Sequence, residues 1–276
     1  MAFKRTDKIN GSALHYARTT QHPYGTRGVK TKFLLETKFL KELEEGFKET
    51  FKNCPLGKPE VITTAGAFVN KPGSHGRGTA FDFDGAFWPD YTLMTTSFPT
   101  DFELYLGIES FLRRHFGIVL NYKYNRAHED HWHIDNSVSV NFSTRSRSKV
   151  LYLQMTLSYI YNLEVVVDGL WGPQTRAAHK KIAAKLKIAP GTGKASWLKY
   201  LKVTGKICFH LFEHNKTPIR LLDDVYETIN VQGGFGRQAV VEALNSFRLH
   251  PATDAWLASL TNEEDRLAKA ITAVVG

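Results

Sequence analysis

"SHGRGTAFDFD", residues 74–84, is the stretch from which the fold of the first half of the chain is read. In "TAFDFD" residue types alternate strictly, so an extended backbone puts Ala80, Asp82 and Asp84 on one face and Phe81 and Phe83 on the other. The phenylalanines face a core; the carboxylates face something else. Gly76 and Gly78 allow a tight turn between His75 and this strand.

Working outward, "PEVITTAGAF" (59–68) is a β-branched run that predicts a second strand, and "IVLNY" (118–122) and "HWHIDNSVSV" (131–140) predict two more. Residues 1–30 read as a polar opening. In "FLLETKFLKELEEGFKETF" (33–51), Leu40, Leu43, Phe47 and Phe51 recur at helical spacing with Lys and Glu between them, which predicts an amphipathic helix. Thr100 and Glu103 form a capping-box pattern after Pro99, so a helix is expected from there to about Gly117. These elements predict an α+β first domain, 1–142, built on a small antiparallel sheet. The polar, basic "STRSRSK" (143–149) reads as a linker. Beyond it the patterns are helical: 150–163, a helix opening at Pro173, and "WLKYLKVTGKICFHLF", "IRLLDDVYETI", "RQAVVEALNSF" and "EEDRLAKAITAVV", giving an all-α C-terminal region.

The 276 residues carry a formal charge of +9, spread over both halves of the chain, which suits a polyanionic partner without naming one. No stacked-aromatic or basic-zipper pattern points to nucleic acid. No apolar run reaches the roughly 18 to 20 residues of a membrane span, and no apolar stretch follows the charged start, so neither membrane anchor nor signal peptide is expected. Cys54 and Cys208 lie far apart and support neither a disulfide framework nor a thiolate metal site.

"HEDHWHID" (128–135) packs three histidines and three carboxylates into eight positions. On a strand, His131 and His133 share one face with Trp132 opposite. Catalytic zinc commonly takes three protein ligands and keeps one open position, a count that His75, Asp82 and a histidine of "HWH" satisfy. Strand parity leaves a choice open: on a regular strand Glu129 shares the face of His131 and His133, and Asp130 does so only if the strand begins or bends there.

Together, "SHGRGTAFDFD" and "HEDHWHID" resemble the LAS group of zinc peptidases, which comprises lysostaphin-type enzymes, D-Ala-D-Ala peptidases and the hedgehog signalling domain. The chain is most similar to the D-Ala-D-Ala carboxypeptidase-like and extensin-like C-terminal branch, over about residues 60–137. The resemblance implies His75, Asp82 and His133 as Zn2+ ligands, Asp130 as general base and His131 as a catalytic neighbour that hydrogen-bonds the developing oxyanion. Many members carry an Arg before the first ligand, where this chain has "AGAFVNK"; Lys71 or Arg77 is the expected substitute for binding substrate. Asp84 and Asp135 are candidates for orienting the ligand histidines.

"LQMTLSYIYNLEVVVDGLWGPQTRAAHKKI" (153–182) resembles the peptidoglycan-binding type 1 module, through Leu153, Gln154, Asp168, Gly169, Trp171, Gly172, Thr175 and Ala178 in order. A module at 150–190 is expected, with 191–276 as a helical C-terminal region open to being part of the same wall-binding domain. Trp171 either buries between helices or offers a face to sugars. "GGFGRQAVVEALNSF" (233–247) is a faint echo of the same pattern. The combined expectation is a monomeric zinc peptidase of the endolysin type, cutting an amide bond of peptidoglycan. It would act from the host cytoplasm after release to the wall, or as part of a virion. The alternative is a non-catalytic zinc protein that binds cell wall.

Overall fold

The computed structural model describes residues 2–189, 193–231 and 263–275. It is a mixed α/β protein in which residues up to Phe209 form one compact unit and most of the residues after Phe209 a second.

Phe81 and Phe83 do face a core. Both lie on β7 (Ala80–Phe87) and are fully buried. The helix that covers them is α1 (Thr37–Asn53), begun by the Glu36 carboxylate, which accepts from the Phe39 N–H at 2.8 Å. Its expected stripe of Leu40, Leu43, Phe47 and Phe51 is buried, and the Phe47 ring lies 5.2 Å from that of Phe83 and 6.0 Å from that of Phe81. Burying each such side chain contributes roughly 1.5 to 3 kcal/mol, so this contact holds helix to sheet.

The main sheet runs β2 (Lys8–Ile9), β3 (Ser12–Tyr16), β6 (Val61–Gly66), β7, β10 (Trp132–Asp135), β9 (Ile118–Leu120), with β4 (Val29–Lys30) on β3 and β8 (Thr92–Met94) on β7. All pairs are antiparallel except β3 with β6. A separate ribbon joins β1 (Phe3–Thr6) to β5 (Phe33–Glu36). The opening segment is therefore not merely polar. Its strands are two to five residues long and partly exposed, too short to show alternation in sequence.

The second helix, α2 (Phe102–His115), starts at Asp101 without a side-chain cap, and the Thr100 hydroxyl bonds instead to the Ser97 carbonyl at 3.1 Å. The capping box expected from Thr100 and Glu103 is not formed. The strand expected through Val140 stops at Asp135, where the Asp135 carboxylate accepts from the Ser137 N–H at 2.7 Å and turns the chain.

Among the described residues no strand follows Asp135. The helices are α3 (Arg147–Met155), continued by a π turn at Thr156–Ile160, then α4 (Pro173–Lys185), α5 (Lys194–Val231) and α6 (Glu263–Val275). Residues 147–149, in the segment expected as a linker, open α3. Ser148 and Lys149 are buried, the Arg113 guanidinium on α2 donates to the Ser148 carbonyl at 3.0 Å, and Lys149 donates to the carbonyls of Ser139 and Asn141. Tyr152 and Ser110 are hydrogen-bonded across the same seam. The sheet and residues 150–209 therefore share one compact unit rather than forming two tethered domains. The segment 233–247 lies outside the described residues, and "IRLLDDVYETI" falls within α5.

Candidate metal centre

The register of β7 against β10 sets His133 directly opposite Asp82, on the face away from the core. The intervening positions pair Trp132 with Phe83 and Ile134 with Phe81 on the buried face. Trp132 is fully enclosed, its ring 4.2 Å from that of Tyr105 and 5.1 Å from that of Phe83. Anchoring Trp132 in the core forces its neighbours His131 and His133 to the opposite side. His75 arrives on a single 3₁₀ turn, His75–Arg77. The turn needs its glycines: a Cβ on Gly76 would stand 1.7 Å from the Lys71 carbonyl oxygen, and Gly78 has φ of 67°.

His75 Nε2 lies 3.2 Å from His133 Nδ1 and 3.2 Å from Asp82 Oδ2, and His133 Nδ1 lies 2.9 Å from Asp82 Oδ1. The outward nitrogens are already committed. His75 Nδ1 donates to the Ala67 carbonyl at 2.5 Å, and His133 Nε2 donates to Asp135 Oδ2 at 3.2 Å. Each ring thus turns its remaining nitrogen inward, and these with the Asp82 carboxylate are three donor atoms within 4.8 Å of one another that could hold a metal ion.

The local electrostatics follow. Burial opposes ionisation of Asp82, but hydrogen bonds from His133 and His75 outweigh it and hold the carboxyl far below the usual range. Burial likewise disfavours a charge on His133, yet Asp135 and Asp82 raise its pKa to about 9 in the metal-free protein.

Strand parity is resolved by a break. Arg126–His128 is a 3₁₀ turn, Glu129 stays in the right-handed helical region, and β10 begins only at Trp132. Glu129 is exposed. Asp130 instead turns to its neighbour: its Oδ1 accepts from His131 Nδ1 at 2.7 Å and its Oδ2 accepts from Arg18 Nη1 at 2.7 Å. His131 in turn points Nε2 towards Asp82, 3.7 Å from Oδ1.

Compared with models of protein families, with curated proteins and with solved structures, the chain matches none.

Two residues with no assigned role in sequence line the site. The His128 ring lies 5.2 Å from that of His131 and 6.1 Å from that of His133, and its Nδ1 donates to Asn125 Oδ1 at 2.6 Å. Burial and the neighbouring histidines push its pKa down to about 4, so it is neutral at pH 7. Arg18 is the other; only the density of "HEDHWHID" hinted at His128, and nothing local hinted at Arg18.

Among the described residues, those expected to bind substrate form no side-chain hydrogen bond or ring contact with the ligand trio. Lys71 is exposed and meets the site through its backbone, under Gly76. Arg77 is exposed, donates to Ser74 Oγ, and lines a separate cleft with Glu36, Glu42 and His115. Trp171 is half-buried, its ring 5.4 Å from Phe142 and 5.8 Å from His179. Three of the residues that drew attention to 153–178, Asp168, Gly169 and Thr175, converge on Gln154. Its buried amide donates to Asp168 Oδ1, the Leu170 carbonyl and Thr175 Oγ1, and its oxygen accepts from the Asp168 and Gly169 N–H groups. That pattern is what folds the loop onto α3 and α4.

Proposed function

We propose that the protein is a zinc-dependent peptidase that hydrolyses an amide bond in the peptide part of peptidoglycan. The observation that carries this reading is the trio of inward donors. Bonds of 2.0 to 2.1 Å in a tetrahedral zinc site place donor atoms roughly 3.3 to 3.4 Å apart; the two ring nitrogens are 3.2 Å apart, and each lies 2.9 to 3.2 Å from its nearer oxygen of Asp82, Oδ1 for His133 and Oδ2 for His75. Two imidazoles and one carboxylate favour zinc over magnesium or calcium, which prefer oxygen. Bound zinc supplies Lewis acidity, polarising a carbonyl and making water acidic near neutral pH.

The chain's own residues then divide the work. With its Nδ1 proton donated to Asp130, the neutral His131 ring has its lone pair on Nε2, on the ligand side. That nitrogen accepts the proton from the attacking water and delivers it to the leaving amine. Asp130 has both oxygens engaged, and Arg18 and His131 outweigh its burial to hold its carboxyl below the usual range. It therefore orients His131 rather than taking the proton, so the base expected from sequence at Asp130 is proposed instead at His131. His128 walls the same space as a neutral ring.

The wall as substrate is supported by the likeness of the 75–135 pattern to peptidoglycan peptidases, by the likeness of 153–178 to a wall-binding module, and by the +9 charge, which suits an anionic polymer. The test is to load the full chain with zinc, incubate it with purified murein, and identify new amino termini by mass spectrometry. Released amino groups that vanish in His131→Ala support the peptidase. Zinc-loaded protein that sediments with murein but frees no amino groups would instead make it a non-catalytic wall binder.

A further inference from the structure

We infer that Arg18 is a positioning residue of this site, bridging the strand that carries Asp82 to the turn that carries Asp130 and thereby fixing which ring nitrogen of His131 faces the metal ligands. The inference rests on the peptidase reading above for its kinetic consequence, but not for its structural one.

Arg18 follows β3, two strands away from β7, and is 112 positions from Asp130 in sequence. Its guanidinium uses both edges. Nε and Nη2 donate to the two oxygens of Asp84 at 2.9 and 2.8 Å, while Nη1 donates to Asp130 Oδ2 at 2.7 Å and Nη2 also reaches the Asp130 carbonyl at 3.2 Å. The central carbon of the group lies over the Tyr24 ring, 5.3 Å from its centroid. Asp84 is fully buried, two residues beyond Asp82 on the same face of β7, so it is a fixed post.

Asp130 is the opposite case. Its side chain is 41% exposed and precedes the strand, in a segment with no ladder to hold it. Without Arg18, the carboxylate would trade His131 for water at little cost, and His131 could present either tautomer to the ligands. A planar guanidinium fits this bridge because it binds one carboxylate along its Nε/Nη2 edge and keeps a further donor for the second. An ammonium has one point of attachment.

The experiment uses the full chain and two variants. Arg18→Lys keeps the charge and loses the fork; the double variant Arg18→Gln with Asp84→Asn removes both partners of the buried pair, so no orphan charge is left to unfold the protein. Three quantities are read: zinc affinity by chelator competition, the His131 tautomer by long-range proton–nitrogen correlation, and kcat and KM on soluble muropeptides. In both variants zinc affinity should stay within about threefold, His131 should change from the Nδ1–H form to a mixture, and kcat should fall roughly 30- to 100-fold with KM within twofold. An unchanged tautomer and kcat would overturn the assignment, as would zinc loss in step with kcat, which would make Arg18 a prop for the ligand strands. If the parent protein cleaves no muropeptide, the peptidase reading fails, while the tautomer and zinc measurements still decide what Arg18 does.

Discussion

His75 Nε2 and His133 Nδ1 face each other across 3.2 Å, and each ring has already given its other nitrogen to an outside acceptor. Two lone pairs so placed beside a carboxylate repel unless a proton or a cation stands among them. Removing either ring should therefore abolish stoichiometric zinc binding. His131→Ala, by contrast, should retain the metal and lose about 10²- to 10⁴-fold in rate. Metal analysis of the three purified variants checks this, and a full zinc complement in His133→Ala would rule out the ligand set.

In the absence of metal a proton takes the cation's place. The folded pKa of His133 is raised to about 9 from an ordinary 6.5. A raised base contributes stability that is fully present below 6.5 and is lost as pH climbs through 9, on the order of 3 kcal/mol. Chelator-treated protein should melt several degrees lower at pH 9.5 than at pH 6, whereas zinc-loaded protein should show much less of this decline. Since zinc must displace the proton, its affinity should weaken as pH falls below 9. Calorimetric melts across this window, with and without zinc, separate the two forms; identical curves would count against the assignment.

Asp135 fixes the outer nitrogen of His133 without reaching the inner donors. Asp135→Asn should weaken zinc binding about 10- to 100-fold while leaving stoichiometry at saturation unchanged. Titration against a fluorescent chelator reads the difference.

Gln154 serves five partners from a buried position. Gln154→Ala strands the Asp168 and Gly169 N–H groups and should cost about 2 to 4 kcal/mol, seen as a lower denaturant midpoint, with zinc affinity untouched. A midpoint unchanged from the parent would mean that the loop is held by something else.

How much of this was legible follows from where the information lies. Alternation in "TAFDFD" and "HWHID" fixed which side chains share a face, because that depends only on the local pleat, and the stripe of α1 was equally local. That Asp82 and His133 stand opposite each other was not readable, since register depends on how two strands 50 residues apart slide to bury Trp132, Phe81 and Phe83. Parity around Asp130 was undecidable for a similar reason: the 3₁₀ turn at 126–128 interrupts the strand. Arg18 left no trace, being one basic residue in a segment whose strands are short. The capping box at Thr100 was a pattern that the chain does not use, since the helix takes Asp101 as its N-cap, one residue later than the motif requires.

The seam at Ser148 has a practical meaning for anyone building chimeras. Chimeras are spliced at polar connectors, and "STRSRSK" looks like such a splice point. Here a cut at 149 would bare Val150, Leu151 and Leu153 on one fragment and leave the Arg113 guanidinium facing vacated space on the other. The sheet and the helices of residues 150–209 are therefore not parts that can be exchanged at this point.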